Sequence, residues 1–185
     1  DVKTLMVNYS PSQSMVQLLK TGETKTDIIE VNFYDTVTFT QVTFNMNIFG
    51  QDDSPVIDLG IQMDVTENVY ITGNVLASDI DAGSSLKYFI LTNNISLNEY
   101  YGEYGVISLN ATTGEWSYTQ NNVSVNYLLP NNYVVDQAIL KIIDNTDLVV
   151  TQNLTFTIYG VDDRPTRISL SNKTVSENVN TDNMV

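Results

Sequence analysis

Adjacent carboxylates recur in this sequence at a fixed distance, each time just before a proline. Asp52-Asp53-Ser54-Pro55 returns 110 residues later as Asp162-Asp163-Arg164-Pro165. Carboxylate oxygens are the ligands that hard cations such as Ca²⁺ prefer, and one ion takes about six to eight oxygens. Acidic residues can also serve solubility alone. We interpret the two pairs as candidate cation ligands because they recur at one phase, which a merely solvating surface does not require.

The same spacing extends beyond the acids and divides the chain into repeats. Val65-Thr66-Glu67-Asn68-Val69 returns as Val175-Ser176-Glu177-Asn178-Val179, again 110 residues later, whereas up to Asp35 the offset is 109 because one residue is inserted after Asp144. We assign both aspartates as turn formers at hairpin tips. A long fixed period indicates a tandem array. The predicted parts are the C-terminal half of one repeat (1–57), one complete repeat (58–166) and the first strand of the next repeat (167–185).

The composition excludes several classes of function. The 185 residues include 22 Asp and Glu against 8 Lys and Arg, and the net charge of −14 would repel phosphate backbones and anionic lipid. There is no Cys and no His, which excludes thiol chemistry, the usual nucleophilic triads and the commonest zinc ligand. No apolar run approaches the roughly 20 residues of a membrane span. We expect no enzyme, no nucleic-acid partner and no direct membrane insertion.

Alternating apolar and polar residues predict strands along most of the chain. The alternation is clear in the segment 42–48 and in its counterpart 153–159. In the complete repeat we place strands near 56–64, 69–78, 86–92, 104–110, 115–121, 134–143 and 148–160. Seven short strands between polar turns predict an all-β fold: a seven-stranded Greek-key β-sandwich of the immunoglobulin or cadherin-like type, in tandem, with incomplete modules at both ends.

A few residues have predicted roles in the core and in turns. Trp116 and Tyr118 lie two residues apart and therefore share one sheet face, which we assign to the core rather than to a ligand platform. Gly114 can take the positive φ of a bulged hairpin. The apolar spacing of 123–129, and of its counterpart 14–20, predicts a short helical turn that closes one end of the sandwich.

Several stretches of the chain resemble VCBS repeats, which are cadherin-like modules. Asn74–Gly83 is similar to the strand-and-loop signature of that family, Tyr104–Thr119 to its central hairpin, Thr155–Pro165 to its closing strand and linker, and Ile168–Asn178 to the opening of the next module. The linkers depart from the family's frequent Asn-Asp-Ala-Pro. The resemblance implies long tandem arrays in large bacterial surface adhesins of the RTX type and in biofilm proteins. It also implies that the repeats act as extenders whose junctions calcium stiffens.

Under this resemblance the acids divide into two Ca²⁺ sites, one at each junction. The first site takes two linker residues and two residues of the following module, namely Asp52, Asp53, Asp79 and Asp81. The second takes Glu67, Asp162 and Asp163. Asp79-Ile80-Asp81 has an alternative interpretation as an ordinary turn, since turns favour Asp. Arg164 also places a cation beside the second site.

Two functional interpretations follow from these features. The first is a structural extender of a cell-surface adhesin or extracellular filament, whose partners are neighbouring repeats of the same polypeptide or neighbouring protomers. In a filament, residues 1–57 and 167–185 of different chains would complete each other by strand addition. The second is a glycan- or protein-binding module of a secreted surface protein. Its candidate ligand-binding residues are Tyr100, Tyr101 and Tyr104, which could instead cap the end of the sandwich.

Six Asn-x-Ser/Thr sequons are candidate glycosylation sites: Asn8, Asn94, Asn110, Asn122, Asn153 and Asn172. About four would arise by chance in a chain so rich in Asn, Ser and Thr. They bear on function only in a cell that glycosylates its surface proteins.

Overall fold

A computed structural model describes residues 6–59, 61–165 and 168–169, with the side chain of residue 59 left out. Strands make up most of the described structure, as the alternating pattern predicts. The elements are α1 (Gln13–Val16), β1 (Thr24–Tyr34), β2 (Phe39–Phe49), β3 (Val56–Leu59), β4 (Gln62–Thr66), β5 (Ile71–Asn74), β6 (Leu76–Ser78), β7 (Lys87–Thr92), β8 (Ile95–Leu97), β9 (Glu99–Tyr101), β10 (Gly105–Leu109), β11 (Glu115–Gln120), α2 (Asn122–Val125), β12 (Tyr133–Ile143) and β13 (Val149–Tyr159).

Residues 56–159 form a β-sandwich of two main sheets. One sheet has the order β5-β11-β10-β9, the other has the order β4-β13-β12-β7-β8, and β3 pairs with β6 in a small ribbon. The pairs are antiparallel except for β4, which runs parallel to β13. The all-β prediction is confirmed.

The core lies between these two sheets and contains alternate residues of their strands. β10 and β11 bury every second side chain, and β12 and β13 do the same over most of their length. Phe156 stacks on Tyr118 with ring centroids 4.3 Å apart, and Trp116 meets the same ring edge-on at 5.6 Å. Trp116 and Tyr118 are therefore core residues, as predicted.

Two of the predicted strands are each broken into two. The segment 69–78 is β5 and β6, which are separated by Val75 because β5 pairs with β11 while β6 pairs with β3. The segment 56–64 divides for the same reason, since β3 pairs with β6 and β4 with β13. Each break is a point where the chain passes from one sheet to another. The short strands β8 and β9 were not predicted; they follow a turn in which Asn93 and Asn94 have positive φ.

The turns carry the predicted chemistry. Gly114 has a φ of 73°. Asp144 accepts hydrogen bonds from the backbone N–H groups of Thr146 and Leu148 at its hairpin tip. At the equivalent tip, the backbone N–H groups of Thr38 and Val37 hold the pKa of Asp35 below its ordinary value. Both aspartates are turn formers, as predicted.

Residues 13–49 repeat the last part of the sandwich element by element. α1 lies 109 residues before α2, β1 lies 109 before β12, and β2 lies 110 before β13, with equal lengths in each pair. β1 and β2 form a two-stranded sheet of their own. Gly50 and its counterpart Gly160 both press against carbonyls that follow the short helix, those of Lys20 and Leu128 respectively, where a Cβ atom would clash.

Candidate linker sites and a groove on the outer sheet

The first linker meets the Asp79-Ile80-Asp81 loop that follows β6. The backbone N–H of Asp53 donates to Oδ2 of Asp81 at 2.7 Å, and the N–H of Asp81 donates to Oδ1 of Asp79 at 2.9 Å. Asp81 is buried, and both Oδ1 of Asp81 and Oδ2 of Asp79 are buried without a hydrogen-bond partner. Buried carboxylate oxygens are costly when nothing satisfies them. The structure thus brings three of the four residues of the first predicted site together.

The fourth residue of that site, Asp52, points to a different part of the chain. Its Oδ1 accepts from the backbone N–H of Thr21 at 3.1 Å, while its own N–H donates to the Thr21 hydroxyl at the same distance. These reciprocal bonds tie the linker to the loop before β1. Asp52 is therefore engaged by the preceding segment rather than by the Asp79–Asp81 loop.

Glu67 joins the second linker to the turn after β4. The side chain is only 3% exposed, and Oε1 accepts from the backbone N–H of Val161 at 2.6 Å, while Oε2 is buried without a partner. Gln120 supports the turn by accepting from Asn68 N–H and donating to the Thr66 carbonyl. Asp162 and Asp163 follow directly and are exposed. The structure thus places Glu67 against the predicted linker but leaves the two aspartates in solvent.

These arrangements fit a calcium ion in part. Buried, unpartnered carboxylate oxygens at both linkers are the donor type that Ca²⁺ selects. Among the described residues, however, no group of three Asp or Glu side chains lies close enough to hold one ion. Backbone carbonyls, water and residues of an adjoining module would have to supply the remaining oxygens.

A buried carboxylate inside the sandwich was not identified from the sequence. Asp136 accepts from the hydroxyl of Tyr118 at 2.6 Å and from the backbone N–H groups of Glu103 and Tyr104. Burial, reinforced by the Asp136 carboxylate, raises the pKa of Tyr118. The same bond recurs in the first segment, where the Tyr9 hydroxyl donates to Asp27 at 2.5 Å. The repeat alignment pairs exactly these residues, so the signal was present in the sequence.

A groove of about 590 Å³ crosses the outer face of the four-stranded sheet. Ser108, Ser117 and Thr72 lie opposite one another across its floor, with Glu99 on the next strand. Small side chains in the middle and larger ones around them make this face concave. Its lining also includes Tyr70, Asn98, Asn110 and Glu115.

The three predicted ligand-binding tyrosines do not act as one cluster. Tyr101 is 72% exposed and donates to Glu99 beside the groove. Tyr100 and Tyr104 are partly buried and pack against the core, which matches the capping alternative. Tyr70, 63% exposed on the groove, was missed because its position beside the groove depends on strand register.

The sequon asparagines in the described residues are all exposed: Asn8, Asn94, Asn110, Asn122 and Asn153. Asn110 already uses its side-chain oxygen to accept from the backbone N–H groups of Thr112 and Thr113. Asn172 lies outside the described residues. Glycosylation therefore remains a prediction.

A family model for the bacterial Ig domain, Big_9, matches residues 52–157, which is more than half of the chain. The chain belongs to the bacterial Ig domain family. The match begins in the first linker and ends within β13, so this bacterial Ig domain coincides with the sandwich. Immunoglobulin-like domains are typically non-enzymatic structural modules. A comparison with curated protein sequences found no match.

Solved structures similar to this bacterial Ig domain include several extracellular cadherin regions. Cadherin domains 1–5 of protocadherin gamma B2 are 15% identical over 77% of this chain and 27% of that chain, with a TM-score of 0.46. Domains EC22–24 of mouse cadherin-23 are 14% identical over 84% of this chain and 46% of that chain, with a TM-score of 0.40. The chain spans less than half the length of either structure. In the described residues, neither helix has the length or hydropathy needed to cross a membrane.

Proposed function

We propose that this bacterial Ig domain is a spacer in a tandem array of VCBS-like modules on a bacterial cell surface, and that Ca²⁺ stiffens its junctions. The observation that supports this most directly is the position of Glu67. It is buried, binds the backbone of the outgoing linker through one oxygen, and keeps the other oxygen unpartnered beside Asp162-Asp163. A cation bound there would fix the angle between the sandwich and whatever follows the linker.

The charge of the chain gives the ion a physical task. Two carboxylates a few ångströms apart repel each other by a few kcal/mol near a protein surface. Asp79, Asp81 and Asp53 converge at one linker, in a chain with a net charge of −14. Ca²⁺ would remove that repulsion and satisfy the free oxygens. The junctions would then be flexible without the ion and stiff with it.

Thermal unfolding with and without calcium tests this proposal. A ligand that binds only the folded state at 100 times its Kd adds about 2.7 kcal/mol, so Ca²⁺ should raise the melting temperature by several degrees over an EDTA sample. Asp79→Asn with Asp81→Asn should abolish most of the shift. Asp64→Asn, an exposed acid on β4 away from both linkers, should leave it intact. An equal melting temperature in Ca²⁺ and EDTA would reject calcium stiffening.

A second candidate function is supported by the outer-sheet groove. Its floor of hydroxyl groups, its rim of amides and carboxylates, and the exposed rings of Tyr70 and Tyr101 form a polar site with aromatic edges. No Lys or Arg lines it, so an uncharged oligosaccharide fits better than an anionic one. Glycan binding would be an addition to the spacer role.

Screening the intact chain against neutral oligosaccharides tests the groove. Binding should weaken at least tenfold in Tyr70→Ala and in Tyr101→Ala, because each removes a stacking ring. Tyr127→Ala removes an equally exposed ring elsewhere and is the matched control. Absence of binding, or equal loss in all three variants, would reject this function.

A further inference from the structure

The hairpin of β1 and β2 carries a core face that nothing covers in the described structure. Its register is that of the sandwich hairpin: Asp27 lies opposite Met46 as Asp136 lies opposite Phe156. The next pair, Ile29 with Phe44, corresponds to Ala138 with Leu154. The two hairpins therefore present the same kind of face with the same spacing.

Burial distinguishes the two faces sharply. Phe156 and Leu154 are 0% and 2% exposed, whereas their counterparts Met46 and Phe44 are 37% and 43% exposed. In the sandwich this face is covered by residues of β10 and β11, among them Ile107 and Tyr118. Soluble proteins seldom leave a contiguous apolar face of this kind uncovered.

Residues 6–11 give a second, independent observation. They align with β11, yet they form no strand, and Met6 and Val7 are exposed. In the sandwich β11 is held between β5 and β10. Residues 6–11 have no such neighbours among the described residues, so nothing holds them extended.

The carboxylate of Asp27 is the third observation. It accepts from Tyr9 as Asp136 accepts from Tyr118. Asp136 also accepts two backbone N–H groups from the loop between β9 and β10. Asp27 has no equivalent donors in the described part of the chain, so it retains acceptor capacity on the same face.

We infer that the β1–β2 hairpin, together with residues 6–11, is the docking surface for the early strands of a further repeat, of the type that residues 58–109 form. This goes beyond the spacer proposal, because it concerns how a module is assembled and not what stiffens it. The occupant would cover Phe44 and Met46, pair with residues 6–11 on both sides, and present a loop N–H pair to Asp27.

We assign this occupant to the same polypeptide, N-terminal to the hairpin. A second copy of the chain is a poor source, because its residues 58–109 already pack against its own β12 and β13. In the sandwich the early strands precede the hairpin and are joined to β11 by the short turn 110–114. A segment tethered in this order has a high effective concentration at the face.

A seamless extension of the full chain tests the inference. The alignment places residue 1 opposite residue 110, so a second copy of residues 58–109 is joined directly before Asp1. Amide hydrogen exchange in 24–34 and 39–49 should slow at least tenfold relative to the original chain, because the hairpin then opens only with its sandwich. Exchange as fast as in the original chain would overturn the inference.

Two variants of the extended chain separate docking from general stabilisation. Met46→Asp places a charge on the docking face and should restore fast exchange in the hairpin. Asn45→Asp places the same charge on the opposite face of β2 and should leave the protection in place. Equal effects of the two variants would contradict docking on this face.

The original chain at rising concentration tests the source of the occupant. A cis occupant predicts a monomer whose hairpin exchanges fast at every concentration. Concentration-dependent dimers with a protected hairpin would instead assign the face to a second copy and overturn the cis assignment. None of these readouts depends on calcium, so this inference and the spacer proposal can fail separately.

Discussion

At the residue scale, the bond between Tyr118 and Asp136 is the most informative contact in the sandwich. It links the second layer of the core to the loop before β10, because the same carboxylate holds the N–H groups of Glu103 and Tyr104. Gly105, whose Cβ would clash with the Tyr118 ring, lets the chain pass this close. A buried charge that is fully hydrogen-bonded is stable, but removing one partner is expensive.

Tyr118→Phe removes one donor from that carboxylate without changing the shape of the ring. We expect the free energy of unfolding to fall by about 2 kcal/mol at pH 7, the usual value for a hydrogen bond to a charged group. Chemical denaturation monitored by Trp116 fluorescence measures this. An unchanged unfolding midpoint would contradict the assigned role.

The same variant should change how stability depends on alkaline pH. Because the pKa of Tyr118 is raised in the folded state, its contribution is fully present below the ordinary tyrosine value of 10.0 and is lost as pH rises above it. The stability gap between the original chain and Tyr118→Phe should therefore narrow between pH 9 and pH 11. A gap that stays constant over this range would show that Tyr118 ionises equally in both states.

At the element scale, the two hairpins offer a comparison of one pattern in two environments. Leu154 is buried by the opposite sheet, whereas its counterpart Phe44 has no covering sheet in the described structure. Leu154→Ala should destabilise the sandwich by about 3 kcal/mol, while Phe44→Ala should change its stability by less than about 0.5 kcal/mol. Denaturant unfolding of both variants checks this, and similar losses would mean that the hairpin packs on the sandwich.

The elements were predictable where the decisive information is local. Alternation located the long strands β12 and β13, and the turn chemistry of Asp35, Asp144 and Gly114 was evident from residue type. The crossing at Val75 was not, because nothing in 69–78 itself says that its two halves pair with different sheets. The linker motifs predicted that Asp53 meets Asp81, but the bond from Asp52 to Thr21 depends on a loop whose position only the folded chain defines.

At the scale of the whole molecule, the sites lie where the modules join or on an outer face, and the core holds none of them. Asp53, Asp79 and Asp81 lie at the entrance of the sandwich, and Glu67 meets Val161 at its exit. A core that is closed to ligands and junctions that carry exposed acids are consistent with a spacer. The groove on the four-stranded sheet would add recognition along the side of such an array without interrupting it.

The parallel pairing of β4 with β13 has a mechanical consequence. The chain enters the sandwich just before β4 and leaves it just after β13, and the two strands are paired from Gln62 with Thr155 to Thr66 with Tyr159. Tension applied along the polypeptide therefore pulls these neighbours in opposite directions along their length, so that their hydrogen bonds are loaded together instead of one after another. We expect single-molecule stretching to give a high unfolding force, which Thr157→Pro should lower by removing a ladder bond at the centre of this pair. A surface tether made of such modules would resist flow by shear, and the weak point of each module would be this one short pair of strands.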